Sequence, residues 1–465
     1  MNDVLALLGD PLTIGRLPAF TISEADAAAS CAYRRLRREV FVDEQGLFDG
    51  HDRDDHDDDP RTIVLVARDR QGEVLGGVRL HPAGPGADIG WWFGGRLVVG
   101  SGARDGRSIG SALVRAACAR AELEGVLRFD ATVQQSREAF FIRLGWHHAG
   151  RTEVAGRPHV VMRWPIGRIQ ALVDATKAPL GALLEGLTSD AAGFLGDDAA
   201  PVPGSDLVAA CDAIVPSMVE RDPTWAGWCS VVVNLNDVAA MGAHPVGLLD
   251  AVAARTASHA RRILLGLRAA AAAYGVPVLG GHTQLGVPAA LAVTALGRTA
   301  APVPAAGGRP GHEVRLTADV GEAWRPGYAS RQWDSTTTRS PEDLRAMVAA
   351  VATARPAAAK DVSMAGVAGT LGMLAEASGC GAELDVARVP RPAGASVGDW
   401  LTCFPGFAML TTDPGPAPLA AGPAVSAACG RLTGGHGVRL RWPDGVCTPA
   451  VTESVTGLGA AGAIR

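Results

Sequence analysis

Lysine is nearly absent from this chain. Of 43 basic residues in 465, only Lys177 and Lys360 are lysines, so 43 − 2 = 41 are arginines. A P-loop nucleotide site needs a lysine after its glycine run to reach the phosphates. Neither lysine follows such a run, which excludes that chemistry. Cysteine is sparse as well. Eight residues without a Cys-x-x-Cys spacing argue against zinc ribbons and disulfide frameworks, and buried free thiols are the expectation. Charge of one sign is missing too. The net charge is 43 − 48 = −5, split as 21 − 23 = −2 over residues 1–165 and 22 − 25 = −3 over the remainder. Neither half has the basic excess of a nucleic-acid binder. Long apolar runs are also lacking: Ile263–Leu279 is interrupted by Gly266 and Arg268 and reads as a buried helix rather than a membrane span. The first 30 residues show no basic start followed by an apolar run, so no signal peptide is expected. A soluble, cytoplasmic protein with small-molecule substrates, and with neither nucleic acid nor membrane as partner, is the expectation.

The composition is globular. Forty-eight per cent of residues are apolar and 20% are charged, and at roughly 100–200 residues per domain the length suggests two to four domains. Trp164-Pro165 ends a strand-like run and a helical pattern starts at Ile166. A Pro/Gly-rich stretch, Ala301–Gly311, divides the rest of the chain. Domains over residues 1–165, 166–304 and 305–465 are therefore expected. The first reads as mixed α/β. Helices are predicted over Ala27–Val40, Gly110–Glu124 and Arg137–Leu144. Strands are predicted over Thr62–Arg68, Val74–Leu80, Arg96–Val99, Phe129–Val133 and His159–Trp164.

In that first part, the strand at Arg96–Val99 feeds a loop, Arg104-Asp-Gly-Arg107-Ser108-Ile109-Gly110-Ser111-Ala112, that opens a helix. Helix-start amides and the helix dipole favour an anion there, Gly110 allows close backbone approach, and Arg104 and Arg107 can add charged contacts. The Arg107-x-x-Gly110-x-Ala112 pattern resembles the acetyl-CoA loop of GNAT-fold acyltransferases. Arg38–Gln45 is similar to that family's first helix and the segment after it, and Ala139–Trp146 to its late helix. The resemblance implies that the backbone of Leu97, Val98 and Val99 pairs with pantetheine amides, that residues 104–112 hold the pyrophosphate of acetyl-CoA or another acyl-CoA, and that Glu44 is the candidate base. The family often has a tyrosine, an acid toward the departing thiolate, where this chain has Phe141, which has no proton to give. The run Asp49–Asp59 holds seven aspartates with His51 and His56. It lacks the glycine placement of a calcium loop and reads as a solvated, mobile loop that favours a cationic amine acceptor.

The second part carries Gly196-Asp197-Asp198, Asp212, then Asn234-Leu-Asn236-Asp237-Val-Ala-Ala-Met-Gly-Ala, then Gly280-Gly281-His282-Thr283. Aspartates in glycine turns suit hard cations, and hard cations suit triphosphate. Gly280 and Gly281, beside a strand predicted at Val276–Leu279, fit close phosphate approach. These strings, with Lys360-Asp361-Val-Ser363-Met-Ala-Gly366 further on, resemble the AIR synthase (PurM-like) superfamily, which includes thiamine-monophosphate kinase, selenophosphate synthetase and a hydrogenase maturation dehydratase. The resemblance implies an α/β and α+β architecture: a GNAT fold followed by a two-lobe PurM-like module. It implies Mg²⁺ and ATP on Asp197, Asp198, Asp212 and Asp237, with Asn234, Asn236, Gly280, Gly281, His282 and Thr283 near the nucleotide and Asp361 approaching from the second lobe as a catalytic residue. It also implies a homodimer through the N-terminal lobe.

Departures block a closer assignment. His282 stands where thiamine-monophosphate kinases have aspartate, Ser363-Met-Ala-Gly366 lacks their second acidic residue, and the reactive Cys/Lys loop of selenophosphate synthetases is absent. The chain reads Gly462-Ala-Ile-Arg465 where the maturation protein has its terminal cysteine. The combination resembles a bacterial family linked to nitrilase-containing gene clusters. A bifunctional enzyme is expected, with a regulatory acyl-CoA sensor controlling the ATP half as the alternative. Trp225, Trp228 and Trp400 read as core or interface.

Overall fold

The computed structural model describes residues 19–104, 108–187, 193–415 and 418–461. The chain divides into two compact units, one of residues up to Ile166 with Ser396–Gly398, the other of 167–395 and 399 onward. Among the described residues no helix is long and apolar enough to cross a membrane.

In the first unit, strands β1 (Thr21–Glu24), β2 (Ile63–Arg68), β3 (Val74–Pro82), β4 (Trp91–Val99), β5 (Arg128–Gln134), β6 (His147–Val154) and β7 (Arg157–Trp164) form one sheet in the order β1-β2-β3-β4-β5-β7-β6. All neighbours are antiparallel except β4 and β5. Helices α1 (Ala27–Arg38), α2 (Ile109–Leu123) and α3 (Glu138–Arg143) accompany it. Helix α1 starts where Asp26 accepts the Ala29 amide at 2.8 Å. Helix α2 buries a stripe of Leu113, Ala116, Ala117 and Ala121 against the sheet, and Ile109 and Cys118 with it. Strand β6 leaves no apolar alternation in the sequence, because its residues are mostly exposed.

The acidic run is not the solvated loop its composition suggests. Asp52 and Asp57 turn inward onto Arg37, and Arg79 bonds Asp54 at 2.7 and 2.8 Å. Arg96 joins through Asp54 at 2.9 Å. Arg37 and Arg79 are buried on α1 and β3, where a sequence pattern expects apolar residues, so their need for carboxylate partners is invisible until the fold is known. Only part of the run, such as Asp55 and Asp58, faces outward.

The second unit is built from two sheets. Strands β8 (Ala200–Pro201), β9 (Leu207–Ala213), β10 (His244–Ala254), β11 (Val278–Leu285) and β12 (Ala290–Arg298) lie in the order β11-β10-β12-β9-β8. Helices α4 (Arg168–Thr176) and α5 (Leu180–Leu183) pack against the other half, while α6 (Pro216–Arg221), α7 (Pro223–Ala240) and α8 (Ala257–Tyr274) belong to this one. The other sheet is formed by β13 (Glu313–Ala318), β16 (Ala358–Asp361), β17 (Gly381–Asp385), β18 (Ala408–Asp413), β19 (Val425–Thr433), β20 (Val438–Arg441) and β21 (Cys447–Val451), in the order β16-β18-β13-β19-β17-β20-β21. A small pair, β14 (Ala323–Trp324) and β15 (Trp333–Asp334), and helices α9 (Pro341–Ala354) and α10 (Gly366–Ala377) complete it.

Helix α7 is buried along almost its whole length, which explains its largely apolar composition up to Asn234. Its backbone touches α8. A Cβ at Gly227 would lie 2.0 Å from the Ile263 carbonyl oxygen, and one at Gly266 1.7 Å from that of Thr224. Those two glycines fix the crossing and so aim the C-terminal turns of α7, with Asn234, Asn236 and Asp237, at the neighbouring strands. Trp225, Trp228 and Trp400 are core residues. All eight cysteines are free thiols, but Cys31 and Cys211 are exposed rather than buried.

Candidate functional site

In the first unit, β4 pairs with β5 only over Trp91–Gly94. Beyond Gly94 the two parallel strands part, while Val98 and Val99 stay bonded to β3 through Gly77 and Gly76. Among the described residues the second edge of Leu97, Val98 and Val99 is thereby left without a strand partner, which suits an extended amide-bearing chain. The split coincides with Arg96, whose φ of 54° is rare for a non-glycine residue. The Tyr33 hydroxyl donates to the Arg96 carbonyl at 2.7 Å and pins that bend.

Helix α2 begins at Ser108, also at positive φ (49°), with no side-chain cap. The Ala112 amide reaches the Ser108 carbonyl, so the amides of Ile109, Gly110 and Ser111 precede the ladder. A Cβ at Gly110 would meet nothing closer than Val99 Cγ2 at 3.8 Å. The fold does not require a glycine there, and the open space faces whatever approaches the helix start. Arg107 lies outside the described residues. Arg104 is not a free anion ligand: it forms a two-pronged ion pair with Glu44 and donates to the Val99 carbonyl at 3.0 Å. That ion pair holds the Glu44 carboxyl below its ordinary range. An exposed carboxylate kept ionised by arginine is a weak base, so the geometry argues against Glu44 in that role. Phe141 is buried against Trp146, ring centroids 5.4 Å apart.

In the second unit the structure brings together three carboxylates. One ligand oxygen each from Asp198, Asp237 and Asp361 lie within 4.8 Å of one another. Asp198 comes from the glycine turn before β8, Asp237 from the end of α7, and Asp361 from the end of β16. The Asp361 amide donates to Asp198 Oδ2 at 3.0 Å. Burial, then the neighbouring carboxylates, push the Asp237 and Asp361 carboxyls well above their ordinary range. Asp361 Oδ1 is buried and has no hydrogen-bond partner. A buried, unpartnered carboxylate oxygen facing two others fits a hard divalent cation.

Lys360, the residue before Asp361, stands in the sequence only as the start of a motif. The structure buries it and bonds its ammonium to the Asp198 carboxylate, with the Gly196 carbonyl at 3.2 Å. Burial opposes its charge, but Asp198 and Asp197 outweigh that and hold the ammonium above its usual range. The sequence offers one signal for it: it is one of two lysines among 41 arginines.

Other expected residues take different places. Asp197 is outside the trio. Its oxygens accept the amides of Asp198 at 3.0 Å and Ala305 at 2.8 Å, and burial raises its carboxyl to about 6. Asp212 is exposed at the end of β9 and lies outside the trio; desolvation raises its carboxyl, with Lys177 opposing. Asn234 braces the backbone, donating to the Ser230 carbonyl at 2.8 Å and accepting the Asp212 amide at 3.1 Å. Asn236 donates to the Gly406 carbonyl at 2.8 Å. Both asparagines are buried, and Asn236 Oδ1 has no hydrogen-bond partner among the described residues.

Gly280, Gly281, His282 and Thr283 are not a loop after a strand. They are the middle of β11, the edge strand, three strands away from the β9 that bears Asp212. Gly281 is required by packing, since a Cβ there would lie 2.4 Å from the Asp250 carbonyl oxygen. His282 lines a groove of about 380 Å³ with Val252 and Leu291.

Comparison with known proteins matches three segments of the chain. Residues 29–146 match the Acetyltransferase (GNAT) family. Residues 196–299 match the N-terminal domain, and 309–441 the C-terminal domain, of AIR synthase related protein. The chain is 37% identical over 224 residues to Uncharacterized protein sll0787 of Synechocystis sp., covering 46% of this chain and 69% of the relative. It is 32% identical over 218 residues to a thiamine-monophosphate kinase of Methanospirillum hungatei, covering 42% and 75%. T. maritima PurL complexed with ADP shares the fold at 16% identity and a TM-score of 0.51, over 64% of this chain and 52% of that one.

Proposed function

Because the chain belongs to the AIR synthase related family, with a GNAT-family acetyltransferase domain before that module in sequence, we propose that it is a bifunctional cytoplasmic enzyme. One half transfers an acyl group from acyl-CoA to an amine. The other uses ATP and Mg²⁺ to phosphorylate, and so activate, an oxygen of a small metabolite. The observation that carries the second assignment is the Asp198–Asp237–Asp361 trio with its unpartnered oxygen. Its likeness to a thiamine-monophosphate kinase supports a phosphoryl-transfer chemistry.

Asp198, Asp237 and Asp361 would hold Mg²⁺, which when bound neutralises triphosphate charge. The protein's own contribution is positioning. The Asp361 amide and Lys360 orient Asp198, while Asn234 and Asn236 lock the end of α7 to β9 and to Gly406. Catalysis of this kind rests on fixed geometry and charge rather than on a protein nucleophile. In the acyl-transfer half, the free β4 edge at Leu97–Val99 and the α2 start at Ser108–Ala112 hold acyl-CoA. Proton removal from the amine falls to a group other than Glu44, or to water. Among the described residues strand β11 leaves one edge unpaired, and we take that edge as the site where two copies join as a homodimer.

Parallel assay of ATP consumption and CoA release against metabolite pools, with mass spectrometry of products, tests this reading. Product formation in both channels supports it, and silence in the CoA channel favours the second reading, an acyl-CoA sensor. Phe141 is what keeps that reading open. A large gain of transfer in Phe141→Tyr identifies the first unit as a degenerate sensor, and no gain identifies native chemistry with another acid.

A further inference from the structure

Both lysines of a chain with 41 arginines meet the aspartates of the second unit. Lys360 bonds Asp198. Lys177 follows the last residue of α4, and the contacts of its neighbours carry it to the same place. On one side Val173, a turn earlier, meets Gly369 of α10, where a Cβ would lie 3.3 Å from Val173 Cγ2. Helix α10 begins at Gly366, shortly after Asp361. On the other side the chain after Lys177 packs on residues 456–458. The Gly181 amide donates to the Thr456 carbonyl at 2.7 Å, and a Cβ at Gly457 would lie 3.9 Å from the Ala178 carbonyl oxygen. Leu458 in turn reaches Gly196, where a Cβ would lie 3.0 Å from Leu458 Cδ1. Gly196 opens the turn that carries Asp197 and Asp198.

The Lys177 backbone is fixed, because its amide donates to the Val173 carbonyl at 2.8 Å. Its ammonium is not. Among the described residues it has no hydrogen-bonded or ion-paired partner. Its charge nevertheless acts on Asp212, second only to burial among the influences on that carboxyl, and Asp198 of the trio acts on the same group. Lys177 and Asp212 therefore interact across a gap at the trio end of β9.

We propose that Lys177 is the cation that binds the phosphate chain of the nucleotide in the ATP-dependent half. The proposal rests on the ATP reading given above and adds the residue that takes the phosphates. Asp197, Asp198, Asp212, Asp237 and Asp361 make this region acidic, and a triphosphate brings more negative charge to it. An unclaimed ammonium meets that need, whereas Lys360 is held by Asp198 and the Gly196 carbonyl. An ammonium is a compact point charge with three rotatable donors, suited to several phosphate oxygens at once. Arginine is the ordinary basic residue of this chain, so lysine at both positions of one site marks a need for that compact charge. No glycine run precedes Lys177. The fold supplies in space the lysine that a P-loop supplies in sequence.

The test is calorimetry of the full chain, with a non-hydrolysable ATP analogue in the presence of Mg²⁺ and, separately, with Mn²⁺ alone. Loss of a phosphate-binding cation and damage to the carboxylates have different signatures. Lys177→Met is expected to bind the ATP analogue at least about tenfold more weakly, as befits a lost charged hydrogen bond to phosphate. It is expected to bind Mn²⁺ as tightly as the wild type or more tightly, because a positive charge has left the neighbourhood of Asp212. Unchanged affinity for the ATP analogue overturns the proposal. Weaker binding of both the analogue and Mn²⁺ overturns it as well, since Lys177 then only supports the shape of the site. If circular dichroism shows Lys177→Met unfolded, Lys177→Gln is judged by the same two titrations. A wild type that binds no ATP analogue refutes the ATP reading itself, a different failure from a Lys177→Met protein that binds it as well as the wild type does.

Discussion

The Asp361 amide donates to Asp198 Oδ2 at 3.0 Å, while the side chain of Lys360, one residue earlier, holds the other oxygen of the same carboxylate. A two-residue piece of β16 thus grips a carboxylate from the other lobe of the same unit. Replacing Asp198 by Ala strands a buried ammonium, and a loss of about 3–5 kcal/mol is expected. Lys360→Met with Asp198→Ala should recover much of that loss. Urea unfolding of the single and double variants checks this, and strictly additive losses would contradict the coupling.

Acid should weaken the first unit well above the carboxylate range. Burial lowers His81 from 6.5 to about 4, with Arg79 and the stacked His56 adding to the effect and Asp54 and the Pro82 carbonyl opposing it. A depressed histidine leaves the unfolded chain the better proton binder in that window. Stability is present above pH 6.5 and is lost as pH falls toward 4, by up to roughly 3 kcal/mol. Asp54 and Asp57, held ionised by Arg79 and Arg37, do not mask the slope. Thermal unfolding across that window should show it, and His81→Gln should flatten it.

Gly110→Ala separates folding from ligand binding. With no atom within 3.8 Å of the added methyl, alanine should stabilise α2 by up to about 1 kcal/mol. Acyl-CoA affinity should fall at least about tenfold, because the backbone can no longer come close to the anion. Calorimetry with CoA and thermal unfolding should move in opposite directions.

Strand β11 exposes Val278 (42%), Leu279 (57%) and Leu285 (51%) along an edge with no partner strand among the described residues. Such an edge is a pairing template. Sedimentation should find a dimer, and Leu279→Lys should shift it toward monomer.

The order of helices and strands in the first unit, β1 and β6 excepted, is legible from apolar periodicity, and the ordered aspartate strings are legible from their glycine and asparagine contexts. Pairing across distance is not. Nothing in the spacing of Arg37, Arg79 and Asp57 reports that they meet. The family resemblance implies a catalytic role for Asp361, and only the fold shows its oxygen beside Asp198 and Asp237. Gly281 and His282 lie in a strand that begins and ends later than its pattern suggests, since β11 is exposed along its whole length and carries no apolar alternation. Lys360 is hidden because a lysine is expected at the surface, and only its burial reveals its partner.

Calorimetric titration of a non-hydrolysable ATP analogue into the full chain, with and without Mg²⁺, tests the central claim most directly. Binding that requires Mg²⁺ and is lost in Asp237→Asn is the predicted result. Binding of equal strength without Mg²⁺, or retained in Asp237→Asn, would contradict it.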